Sequence, residues 1–87
     1  MFYDTEIKVL DKNLMEVKTI MGDLQLFYKV IRFEDDIDVV IRNRVFCDRE
    51  SCINSGSYFL IEGIRYKVID IKKWSDYLEI LIYECGG

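Results

Sequence analysis

The sequence predicts an all-β fold, a small antiparallel β-barrel of six to seven short strands with at most one short helical turn. Three observations lead there. β-Branched and aromatic residues recur at spacing two along most of the chain, short polar turns separate these runs, and no segment sustains the 3.6-residue period of an amphipathic helix. Hydrophobic residues make up 51% of the 87 residues and aromatics 14%. That is too apolar for intrinsic disorder, and no uncharged run reaches the roughly 18 residues that a membrane-spanning helix needs. With no proline, repeat or low-complexity tract to mark a linker, residues 1–87 read as a single domain.

The first strand runs from Phe2 to Leu10, with Ile7 and Val9 on one face and Glu6 and Lys8 on the other; Asp11, Lys12 and Asn13 turn the chain. Leu14 to Met21 alternates less cleanly and ends at Gly22-Asp23, where a hairpin is expected. From Leu24 to Phe33 both faces are apolar, Leu24, Leu26, Tyr28 and Val30 on one and Phe27, Ile31 and Phe33 on the other. A strand apolar on both sides must be covered on both, which is the first sign of a partner surface. Glu34, Asp35, Asp36 and Asp38 would repel one another in a dry setting, so they belong to a solvated turn.

Strand pattern resumes from Ile37 to Phe46, and Asp48 to Ser57 reads as a loop with room for one helical turn. Tyr58 to Ile61 and Ile64 to Ile71 form a tight hairpin about Glu62-Gly63, the glycine supplying the positive φ of a primed two-residue turn. The alternation Ile64, Tyr66, Val68 loses phase at Asp70, which a bulge near Val68 reconciles. Lys72 to Asp76 turn the chain, and Tyr77 to Tyr83 is the last strand. Closure into a barrel of meandering strands removes most open edges at this length.

A chain of this mass folds to roughly 5,400 Å² of surface, burying about 60–65% of what it exposes unfolded. So small an interior cannot shelter every apolar side chain, and part of the surplus is expected to be an interface. The doubly apolar strand contributes Phe27, Tyr28, Ile31 and Phe33 as candidate interface residues, and the outward face of the last strand contributes Tyr77 and Tyr83. Trp74 either folds back as a plug over the barrel end or stands out as an anchor.

The net charge of −4 opposes phosphate backbones and anionic membranes, and the basic residues form no cluster of the kind that releases counterions from nucleic acid. With no histidine the commonest general base is missing, and no phosphate-cradling glycine motif occurs. Asp35, Asp36 and Asp38 lack the glycine and terminal glutamate of a calcium loop. Cys47, Cys52 and Cys85 have no imidazole to complete a zinc site and read as free thiols in a reducing cytoplasm, although a Cys47–Cys52 disulfide is compatible with a folded-back loop. No catalytic residue, cofactor or metal is expected.

The stretch Tyr58 to Ile82, reading Tyr-Phe-Leu-Ile-Glu-Gly-Ile-Arg-Tyr-Lys-Val-Ile-Asp-Ile-Lys-Lys-Trp-Ser-Asp-Tyr-Leu-Glu-Ile-Leu-Ile, resembles the C-terminal half of the head-closure, or stopper, proteins of tailed bacteriophages, within the broad head–tail joining family. The shared pattern is a hydrophobic strand, a glycine turn, a Tyr-Lys-Val/Ile strand, a short turn often holding Trp or Gly, and a final strand of Leu-Glu-Ile type. Arg42 to Cys47 resembles the strand that precedes this hairpin. The resemblance implies a head-completion protein of the virion: a small barrel that forms a ring in the phage neck between portal or adaptor and tail. Its partners would be further copies of itself, the portal or adaptor, and tail proteins, with DNA passing nearby unbound and no membrane involved. Glu34, Asp35, Asp36 and Asp38 would suit a channel-facing loop, since like charge lets DNA slide. The alternatives are another phage neck, tail or minor capsid barrel, a cytoplasmic adaptor that binds an edge strand, and a single-strand nucleic-acid binder stacking bases on Tyr28, Tyr66, Tyr77 and Trp74, which the charge opposes.

Overall fold

Side chains that alternate apolar and polar along a strand can be sheltered on one face only, and six strands here turn that face toward a common axis. The computed structural model describes residues 2–85. Its strands are β1 (Thr5–Leu10), β2 (Glu16–Arg32), β3 (Asp38–Asp48), β4 (Tyr58–Ile61), β5 (Ile64–Lys73) and β6 (Tyr77–Glu84). All neighbours are antiparallel, and they close in the order β1-β2-β3-β6-β5-β4. This is the expected small barrel, but not one continuous meander. Two three-stranded meanders are joined by a crossover from β3 to β4 through residues 49–57.

Ile7 and Val9 of β1, Val45 and Cys47 of β3, Phe59 and Ile61 of β4, Tyr66 and Val68 of β5, and Leu78, Ile80 and Ile82 of β6 fill the interior with Ile20 of β2. The crossover adds Ile53 to the same cluster. No helical turn forms there. Instead Ser57, itself buried, accepts the Asn54 N–H at its Oγ (3.0 Å), and its carbonyl accepts the Val68 N–H (3.1 Å), tying the loop to β5. Lys18 Nζ to Glu50 (2.9 Å) ties it to β2.

The main departure from expectation is β2. Gly22-Asp23 does not end a strand; the chain runs through it as one strand of 17 residues. Straight, such a strand would span about 55 Å, whereas the longest dimension of the molecule is 34 Å, so β2 has to bend. Gly22 is the corner, paired with Thr5 of β1 on one side and Cys47 of β3 on the other. A Cβ there would lie 2.8 Å from Ile7 Cδ1, 3.0 Å from the Phe46 carbonyl oxygen and 3.2 Å from Val45 Cγ1. Glycine is needed because two strands and the core converge on this backbone. At the other end of the chain β1 starts later than expected, at Thr5 rather than Phe2.

The β4–β5 hairpin is as expected. Glu62 and Gly63 both take positive φ (52° and 78°), the signature of a primed two-residue turn. The bulge in β5 falls between Val68 and Asp70, which keeps Tyr66 and Val68 inside and leaves Asp70 in solvent.

These two glycines should respond differently to substitution. Gly22→Ala is expected to lose about 1–3 kcal/mol through overpacking. A Cβ at Gly63 meets no atom within 4 Å, so Gly63→Val should lose about 1–2 kcal/mol, chiefly from backbone strain at positive φ. Urea denaturation of each variant measures both, and a neutral Gly22→Ala would remove the corner from its structural role.

Candidate interaction surface

β1 follows β2 only as far as Gly22, and β6 follows β3 only as far as Asn43. Where Lys29–Arg32 pair with Asp38–Ile41, β2 and β3 pair with each other alone, as a two-stranded ribbon leaving the barrel. The β3 stretch Asp38–Arg42 and the β2 stretch Asp23–Arg32, whose first residues still lie in the barrel wall, each have one edge on which no strand lies among the described residues.

A bulge sits at the root of the ribbon. Leu26 pairs with Asn43 and Lys29 with Ile41, so Phe27 and Tyr28 together oppose Arg42. The bulge overturns the facing expected from simple alternation. Leu24 and Leu26 share a side with Lys29 and Ile31, while Phe27, Tyr28 and Val30 share the other, because residues directly opposite in an antiparallel pair lie on the same face. Leu26 is 89% exposed and Tyr28 68% exposed, and Val30, Phe33 and Ile37 are exposed as well. Ile31 is half-buried. At the tip, the Asp36 N–H donates to the Phe33 carbonyl and the Phe33 N–H to the Ile37 carbonyl, both at 3.0 Å, with Asp36 at φ 62°. Glu34, Asp35 and Asp36 are thereby held out in water, as expected, while Asp38 pairs with Arg32 at 2.9 Å.

At the opposite end of β3, the outer wall carries an aromatic and ionic ladder that alternation alone did not suggest. The Arg44 guanidinium lies between the rings of Phe27 (4.5 Å) and Phe46 (4.8 Å). It donates to Glu79 Oε2 (3.1 Å) and Gln25 Oε1 (3.2 Å), and Gln25 in turn donates to Asp23. Trp74 Nε1 donates to the other Glu79 oxygen at 3.3 Å. The Trp74 ring stacks on Tyr77 (6.0 Å), Tyr77 meets Phe46 (5.9 Å), and Lys72 covers Trp74 (4.4 Å). Trp74 is therefore not a plug: it is 39% exposed on the outside of the wall, where the turn carrying it is held by Arg49 Nη1 on its carbonyl. In sequence, Arg44 and Glu79 look like scattered charges; only the β3–β6 pairing, with Phe46 opposite Glu79, brings them together.

Tyr77 and Tyr83 both face outward from β6, as expected, but they do not act as one stripe. Glu79 and the buried Leu81 lie between them. Tyr77 belongs to the ladder, whereas Tyr83 borders a shallow hollow at the ribbon's root with Val40, Arg42, Asn43 and Glu84. Phe27, expected at an interface, is half-buried under Arg44. Among the described residues no three His, Cys, Asp or Glu side chains converge on a point where a metal would sit. No family model matches the sequence, and no curated protein does either.

The three cysteines are free thiols. Burial pushes the Cys47 thiol up to about 12, with the carboxylates of Glu50 and Asp48 adding to the shift. Cys52 and Cys85 are partly exposed.

Alkylation of the native protein at pH 8 should therefore label Cys52 and Cys85 and spare Cys47, which reacts only after denaturation; mass spectrometry of tryptic peptides reads this. Trp74→Ala should cost about 1–2 kcal/mol, the scale of an aromatic pair plus partial burial. A loss of the 3–5 kcal/mol typical of a core aromatic would mean that the ring is buried.

Proposed function

We propose that this chain is a structural subunit of a tailed-phage neck, a head-completion protein that assembles as a ring between the portal or adaptor and the tail. The observation that carries this reading is the ribbon and its root, which leave Leu26 and Tyr28 largely in solvent and Val30, Phe33 and Ile37 about half exposed. The resemblance of Tyr58 to Ile82 to head-closure proteins says what kind of assembly would cover them.

A ring subunit has to present two different patches, because a heterologous contact closes into a ring only when one surface of each copy meets another surface of the next. Two such patches lie at opposite ends of β3, the apolar ribbon at Asp38 and the Phe46–Tyr77–Trp74 wall near Asp48. The closed barrel supplies a rigid body between them. In this reading the acidic tip, Glu34 to Asp36, faces the channel, where like charge keeps DNA from adhering.

Electron microscopy of the chain mixed with a tailed-phage portal complex tests this. A ring of copies seated on the portal or its adaptor is expected. If the chain ignores the portal and instead binds an extended peptide one to one, it is an edge-strand adaptor and the neck reading is wrong.

A further inference from the structure

We draw no further inference here: the strongest candidate, the edge of β3 from Asp38 to Arg42 beside the hollow lined by Val40, Arg42, Asn43, Tyr83 and Glu84, is a sheet edge on which no strand lies among the described residues, and nothing in the structure shows what covers it.

Discussion

One bent strand changes partners at a single residue, and the rest of the architecture follows from that. β2 pairs with β1 up to Gly22 and with β3 from Gly22 onward, so the corner at this residue is where the wall turns to close the barrel. Closure is what allows so small a chain to bury Ile7, Val45, Phe59 and Ile80 almost completely. The corner must be tight enough for Ile7, Val45 and the Phe46 carbonyl to approach one α-carbon, and a side chain there would hold the strands apart.

The same strand explains why the molecule has an outside worth covering. β2 continues beyond the length that β1 can pair, and β3 continues beyond the length that β6 can pair. The excess leaves the barrel as a ribbon on whose outer edges no strand lies among the described residues. The two ends of β3 differ in chemistry. Toward Asp48 the wall is covered by a ladder in which Arg44 and Glu79 satisfy one another between aromatic rings. Toward Asp38 the ribbon carries bare aliphatic and aromatic groups and an acidic tip.

Much of this was legible in the chain because it is encoded locally. Glu62-Gly63 between two alternating runs specifies a primed turn with little tertiary help, and the misplaced Asp70 announces a bulge because a strand's phase cannot change otherwise. The acidic run from Glu34 to Asp38 had to be solvated wherever it fell. The bulge at Phe27-Tyr28 was not legible, since both residues are apolar and leave no break in pattern. Gly22 conceals its role for the opposite reason: next to an aspartate it has the form of a turn, and only the convergence of β1, β3 and Ile7 shows it to be a bend within a strand. Trp74 sits in a turn, as expected, but which side of the wall it joins depends on Tyr77 and Glu79, placed there by β6.

The amino-acid order by itself determined the β class, the C-terminal hairpin and the surplus of apolar groups, because each depends on residues a few positions apart. The tertiary structure decided the crossover from β3 to β4, the continuity of β2, the pairing of Arg44 with Glu79 and the unpaired edge of the ribbon. Those depend on which strands run out of partners first, a matter of relative length and register between segments distant in the chain, on which local periodicity carries no information.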